Sequence, residues 1–402
     1  MSVDNVLETV LPNGAAVEAP PAINASPDAA QPAGVRSIDR HAASAARLAR
    51  LRADMAAHRL DALAIMSHPN RRYMTGFGGS AGIVLVLPDH ALLFVDSRYY
   101  ERGPVEAPAC EVVRAGYAQI EAAGKALAEA GLSRCGFEAD HVTVSRLDEL
   151  RSKAEGIDWV AAKGLVESQR LSKSVDEVAT IRRAAALTDA GMAHAVHTAR
   201  PGMTERELAW AIEVFLRQNG ASGLAFETIV AGGESGASPH HETSDRVLRA
   251  GEPIVIDMGA RWGEYAADLT RTFSLGPVDD PDYHRVWDLV DAANRQATAA
   301  IRPGRKAFDV DAVARDLITA AGHGEHFGHG LGHGVGMEIH EAPKLSLTSG
   351  DIVLAAGSVV TVEPGVYVPG RFGVRIEDLV LVTPDGSEVL SEAPKFATIP
   401  LR

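Results

Sequence analysis

The spacing of apolar positions changes character several times along the chain, and each change marks an element or a boundary. Residues 1–38, with the run EAPPAINASPDAAQPAG, hold no sustained period; Ala/Pro-rich sequence of this kind predicts a disordered tail. Helical spacing follows around residues 40–58, then the apolar strand-like run Ala62–Met66. The runs Gly82–Leu87 and Ala91–Val95 predict two strands, with Pro88-Asp89 and His90 making the turn between them. A helical stretch over 117–130, a short strand Arg134–Glu138 and a helix over 143–153 complete an alternating α/β region, so residues 39–168 are expected to form one α/β domain.

From residue 169 to 402 the signals are those of a second domain. Ser174-Val-Asp-Glu177 is a capping box, followed by the apolar stripe Val178, Ile181, Ala185 and Leu187. Thr204-Glu-Arg-Glu207 is another, followed by Leu208, Ala211, Ile212, Phe215 and Leu216, and stopped by Gly220. Arg200-Pro-Gly202 opens that helix and Arg302-Pro-Gly304 opens a later one. From each Pro-Gly the pattern runs in step: Leu208 with Val310, Ile212 with Ala314, Leu216 with Ile318, Gly220 with Gly322. This predicts an internal duplication, with two α/β halves facing each other and a site between them.

Composition narrows the function classes. The 402 residues are 46% hydrophobic and 23% charged, near globular averages, and the net charge of −14 from 53 acidic and 39 basic residues disfavours a nucleic-acid or anionic-membrane partner. Cys110 and Cys135 alone suggest a reduced, cytoplasmic setting. The first residues lack the basic and apolar segments of a signal peptide, and no apolar stretch has the length of a membrane span.

The chemistry gathers in three segments. In IVIDMGARWGEYAADLTRT two strand-like runs carry Asp257 and Asp268; a two-residue turn at Trp262-Gly263 would set them directly opposite one another. Like charges opposed on an apolar hairpin need a neutralising partner, and a divalent cation is the economical one; the alternative is a surface turn with two solvated aspartates. Phe327 to His340 contains His329, His333 and His340 among five glycines, a composition that suits close backbone approach and transition-metal ligation, or simply a flexible turn. Glu363 and Glu377 end two further strand-like runs around the loop Pro369-Gly-Arg-Phe-Gly373, predicting a second hairpin with an acidic pair. Four carboxylates and an imidazole are the inventory of a two-metal cage. Oxygen-dominated ligation favours Mn(II), with Co(II), Fe(II) or Zn(II) as alternatives.

The strings ETIVAGGESGASPHH, VIDMGARWGEYAADLTRTF, FGHGLGHGVGMEIHE and VVTVEPGVYVPGRFGVRIED resemble the ordered motifs of the "pita-bread" peptidases of the creatinase/methionine aminopeptidase superfamily. Within it they are most similar to the Xaa-Pro peptidases, prolidase and aminopeptidase P. The stretches Ser67–Gly82 and Phe94–Tyr99 resemble the creatinase/prolidase N-terminal domain, so the similarity spans nearly the whole chain after the tail. The resemblance implies an α/β (α+β) fold: a creatinase/prolidase-like α/β domain followed by a pita-bread catalytic domain with pseudo-twofold halves. It implies Asp257 as a terminal ligand of one metal, Asp268 and Glu377 as bridging ligands, and His333 and Glu363 completing the second, with Glu363 also the general base. His240 and His340 would bind the scissile carbonyl and steady its developing charge. His329 and Arg375 would line the pocket, Arg375 holding Glu377 or a substrate carboxylate. His241 and Asp378 are expected to be structural. The implied partner is a proline-containing peptide, and the implied assembly a homodimer.

Two departures stand out. Glu234 and Gly236 occupy places where relatives usually have an Ala-Asn-Ser-Ala-like run, and Asp96-Ser97-Arg98 replaces the commoner Asp-Gly-Arg. Other readings of the same fold are a metal-free creatinase-type or other small-molecule hydrolase, and a binding module that has lost catalysis. The complete set of ligand-competent side chains weighs against both, and the N-terminal domain weighs against a methionine aminopeptidase.

Overall fold

The computed structural model describes residues 40–401, and the predicted tail lies outside the described residues. These residues form two compact units, one up to Arg170 and one from Leu171 onward. Among them no helix is long and apolar enough to cross a membrane.

The first unit is built on a six-stranded mixed sheet. Its strands run, from edge to edge, Glu111–Arg114, Ala91–Val95, Ile83–Val86, Ala62–Ile65, Arg134–Glu138 and Asp158–Ala162. Ile83–Val86 and Ala91–Val95 form the expected antiparallel hairpin, closed by the Leu87 N–H donating to the His90 carbonyl across Pro88-Asp89. The four central residues Ala62–Ile65 are all buried, as befits a strand covered on both faces. Helices Arg40–Ala57, Gln119–Glu129 and Val144–Lys153 accompany the sheet.

The second unit has two similar halves. Helices Val175–Thr198 and Glu205–Gln218 belong with a four-stranded sheet ordered Thr398–Ile399, Leu269–Leu275, Pro253–Met258, Ile229–Gly232. Helices Tyr283–Ala300 and Ala307–Ala320 belong with a five-stranded sheet ordered Glu341–Leu345, Gly332–Gly334, Val359–Val362, Asp378–Val382, Ser387–Val389. Both predicted capping boxes are formed, Ser174 with Glu177 and Thr204 with Glu207.

The in-step residues sit where duplication puts them. Leu208, Ile212 and Leu216 are buried in the core of the first half, and Val310, Ala314 and Ile318 in that of the second. The backbone repeats as well. The Gly202 N–H donates to the Leu248 carbonyl as the Gly304 N–H does to Leu354, and the bridges Thr204–Val247 and Lys306–Val353 correspond.

The hairpin register corrects one expectation. The turn falls at Gly263-Glu264, with Trp262 paired to Tyr265, because Gly263 takes a positive φ of 57° at the first central position, which glycine adopts without strain and tryptophan does not. Asp257 is therefore opposite Thr270, and Asp268 lies two residues earlier, just beyond the last ladder pair Leu269–Met258. The face-to-face acids occur in the other segment. Val362 pairs with Asp378 and Gly365 with Arg375, a register that sets Glu363 opposite Glu377.

Candidate active site

Apolar strands deliver the acids into the second unit's interior. Asp257 ends the buried run Ile254-Val-Ile256, Asp268 precedes the fully buried strand Leu269–Leu275, Glu363 follows Val359–Val362, and Glu377 joins Phe372–Arg375 to Asp378–Val382. Glu377 is 1% exposed and Asp268 6%. His333 is in the short strand Gly332–Gly334, where glycines on either side let the chain run against neighbouring backbone. A Cβ at Gly332 would stand 2.1 Å from the Thr361 carbonyl oxygen, and one at Gly334 2.2 Å from that of Ala342.

Asp268, His333 and Glu377 each offer a ligand atom within 4.8 Å of the others. His333 Nε2 is 3.5 Å from Asp268 Oδ2 and 3.3 Å from Glu363 Oε1. Asp257 contributes Oδ2 to Arg375 Nη2 at 2.7 Å, while its Oδ1 is buried without a hydrogen-bond partner. Arg375 therefore holds Asp257, where Glu377 or a substrate carboxylate was expected. Arg375 Nε donates to the Thr270 hydroxyl oxygen at 3.1 Å, and Thr270 takes the Glu377 contact by donating its hydroxyl to Oε2 at 2.8 Å.

Electrostatics follow from this crowding. Burial first, then Glu377, Asp257 and Glu363, hold the Asp268 carboxyl well above the usual range. Glu377 is raised well above it by burial and by Glu363 and Asp257, and Glu363 is raised chiefly by burial. Burial lowers His333 and His329; burial, His333 and His240 lower His340. Desolvation opposes the charge on Arg375, but Tyr367, Asp257 and Glu363 outweigh it and raise its pKa.

The donor set fits a divalent metal. The His333 Nδ1 lies 3.1 Å from the Gly334 carbonyl, which only a protonated nitrogen satisfies. Nε2 then presents a lone pair to two carboxylate oxygens at 3.5 and 3.3 Å, an arrangement that a divalent cation or a proton between them relieves. The unpartnered Asp257 Oδ1 makes the same demand.

The remaining candidates surround this cluster. His340 is exposed, with its ring edge-to-face on His333 at 4.3 Å, and His240 is exposed near enough to influence it. His329 is half-buried; its Nδ1 donates to the Gly330 carbonyl at 2.7 Å and its Nε2 accepts from the Tyr367 hydroxyl at 2.9 Å. Arg375 Nη1 donates to the same Tyr367 oxygen at 2.9 Å, so Asp257, Arg375, Tyr367 and His329 form one chain. His241 pairs with Glu205 at 2.8 Å, and Asp378 with Arg271 at 2.9 Å and Lys395 at 2.5 Å. The unusual Gly236 lies against Gly373: a Cβ at Gly373 would stand 1.8 Å from the Gly236 carbonyl oxygen.

Thr270, Tyr367 and Glu205 were not singled out in the sequence. Tyr367 stands in the same hairpin as Arg375, two residues along from Arg375's partner Gly365 and so on the same face, and a register drawn through Arg375 would have found it. Glu205 lay hidden inside a capping box, where an acid already has a local explanation.

Two family profiles match this chain. Metallopeptidase family M24 covers residues 179–384 and the Creatinase/Prolidase N-terminal domain residues 47–172. The Xaa-Pro dipeptidase of Pyrococcus horikoshii is 34% identical over 84% of this chain and 94% of its own length. Among solved structures, an Xaa-Pro dipeptidase from Bacillus anthracis superposes with a TM-score of 0.86 at 37% identity, covering 89% of this chain and all of its own. An X-Pro aminopeptidase from Thermotoga maritima superposes with a TM-score of 0.79 at 34% identity, covering 85% and 98%. The mixed α/β fold with a creatinase-type first unit and a pita-bread second unit is the one expected from the motifs.

Proposed function

Because the chain belongs to metallopeptidase family M24, and is therefore a hydrolase, we propose that it is a two-metal exopeptidase that cleaves the bond between an N-terminal residue and proline. The observation that carries the reading is the convergence of Asp268, His333 and Glu377 within 4.8 Å, with Glu363 3.3 Å from the same imidazole. The names of the relatives, Xaa-Pro dipeptidase and X-Pro aminopeptidase, support the choice of proline.

Asp257, Asp268, His333, Glu363 and Glu377 would hold the ions, and the oxygen-rich set favours Mn(II) over Co(II), Zn(II) or Fe(II). Bound there, divalent cations supply Lewis-acid polarisation of the scissile carbonyl and lower the pKa of water towards ~7. The chain's own residues do the rest. Glu363 takes the proton of the attacking water and hands it to the proline nitrogen, a tertiary amide that leaves only once protonated. The Thr361 hydroxyl donates to Glu363 Oε1 at 3.0 Å and fixes the orientation of that carboxylate. His340 and His240, exposed at the edge of the cluster, donate to the oxygen on which charge develops. Thr270 steadies Glu377, and Arg375 steadies Asp257.

The test is hydrolysis of an Xaa-Pro dipeptide and an Xaa-Pro-Yaa tripeptide by purified protein, with added Mn(II) and with metal content measured. Cleavage of the dipeptide alone assigns a dipeptidase, and cleavage of the tripeptide an aminopeptidase. Cleavage of neither by metal-replete protein overturns the reading.

A further inference from the structure

The segment that carries His329 is bounded by Gly328 and Gly330, and a side chain at Gly328 would meet nothing within 4 Å. The Gly330 end is close-packed, a Cβ there standing 2.9 Å from Ser346 Cβ and 3.0 Å from the Leu345 carbonyl oxygen, but the open Gly328 end has no such constraint, and ordering glycine costs more backbone entropy than ordering other residues. The segment is nonetheless tied down at three alternate residues by a single ion pair. Asp311, fully buried on the helix Ala307–Ala320, receives Arg315 one turn later through Nε to Oδ2 at 2.7 Å and Nη2 to Oδ1 at 2.9 Å. Arg315 Nη1 donates to the Phe327 carbonyl at 2.9 Å and Nη2 to the His329 carbonyl at 2.7 Å, while Asp311 Oδ1 accepts the Leu331 N–H at 2.9 Å. The guanidinium also lies 4.2 Å over the Phe327 ring.

We propose that Asp311 and Arg315 are a positioning pair that fixes where the His329 imidazole meets Tyr367, and through Tyr367 and Arg375 the orientation of Asp257. The planar fork is essential, because only a guanidinium can span two carbonyls and a carboxylate at once. An ammonium in the same place keeps the charge and loses the span. The inference rests on the function proposed above for the rate it alters, but not for the ordering of the segment.

The experiment compares Arg315→Lys with wild type in the metal-loaded protein, alone and combined with His329→Ala. Hydrogen exchange read by mass spectrometry should quicken in the peptide containing residues 327–331 and stay unchanged in helix Glu205–Gln218. Metal content should stay at the wild-type level. With His329 present, kcat should fall by about 10- to 100-fold with KM held, the size expected of a misplaced group. In the His329→Ala background the same substitution should cost almost nothing further. Equal losses in both backgrounds, loss of metal, or unchanged exchange in the segment would each overturn the proposal. Asp311→Asn, which keeps an acceptor for Leu331 but weakens the hold on Arg315, carries the same test if Arg315→Lys does not fold. Wild-type protein inactive on Xaa-Pro peptides would defeat the functional reading, and the exchange measurement would still decide the clamp.

Discussion

In the first half of the catalytic unit the chain turns at Pro201-Gly202, meets the returning segment at Val247 and Leu248, and starts a helix whose Glu205 reaches the loop bearing His240 and His241. In the second half it turns at Pro303-Gly304, meets Val353 and Leu354 in the same way, and starts a helix whose Asp311 and Arg315 reach the loop bearing His329. The backbone frame repeats; the clamp does not. By the frame, Glu205 corresponds to Ala307, since their N–H groups donate to the Arg246 and Ile352 carbonyls respectively. The difference lies in what each loop offers. The first presents donors: Gly232 N–H at 2.9 Å, Ser244 N–H at 3.1 Å, the Ser244 hydroxyl at 2.7 Å and His241 at 2.8 Å all meet one buried carboxylate. The second presents two carbonyls and one N–H, so it requires a guanidinium, and a half-buried guanidinium is in turn held by an acid.

The largest test of the pairing concerns the cage, to which both halves contribute. Asp268→Ala, from the first half, and His333→Ala, from the second, should each abolish metal binding and hydrolysis together, as measured by metal analysis and peptide assay. Full activity in either variant would break the assignment of a shared site. Asp268→Asn sharpens the point through stability. In metal-free protein the Asp268 carboxyl, raised by burial and its acidic neighbours, destabilises the fold at neutral pH. That penalty is complete above the raised folded pKa and fades as pH falls through it towards the ordinary carboxylate range. Metal-free Asp268→Asn should therefore melt higher than metal-free wild type at pH 8, with the advantage shrinking on acidification.

Smaller in effect is His340→Ala, which removes a donor at the edge of the cluster and none of its acids. Metal should remain, while kcat falls by about 10²- to 10³-fold, the loss typical of one oxyanion donor. Coincident loss of metal would make His340 part of the cage instead.

How much of this was legible follows from what fixes each feature. Periodicity and Pro-Gly turns set the helices, so the repeat of Leu208, Ile212 and Leu216 in Val310, Ala314 and Ile318 could be read directly. The four acids assigned to the cage each end or join an apolar strand, a pattern visible in the chain, whereas His333 stands between glycines in Gly332–Gly334; Asp268, His333 and Glu377 converge, with Glu363 beside the same imidazole. Register was less legible. A one-residue displacement of the turn, decided by the positive φ of Gly263, moved Asp257 from Asp268 to Thr270, and the opposed pair is Glu363 with Glu377. Partners fixed only by tertiary contact were silent: nothing near Arg375 in sequence says that it holds Asp257, or near Arg315 that it spans two carbonyls of a distant loop.

Next in size is the first half's clamp. Glu205→Ala strands several donors in a buried position, so stability should fall by about 3 kcal/mol, as read by denaturant unfolding. Because the same carboxylate organises the loop that presents His240, kcat should drop by about tenfold in folded, metal-loaded protein. A stability loss with kcat intact would mean that this loop, unlike its counterpart, needs no clamp for catalysis.

The smallest effect probes the frame itself. Gly202 and Gly304 have φ of 92° and 81°, a Cβ at either would meet nothing within 4 Å, and each donates its N–H at 2.9 Å to the equivalent leucine carbonyl. An alanine at either position suffers only the backbone penalty of positive φ, about 1–2 kcal/mol. Gly202→Ala and Gly304→Ala should therefore lower Tm equally, by about 3 °C, with kcat unchanged, since neither touches a histidine loop. Unequal shifts would show that the two turns carry different loads despite matching geometry. Equal shifts would locate the asymmetry of the halves in the clamps alone, where the loops' own donors and acceptors put it.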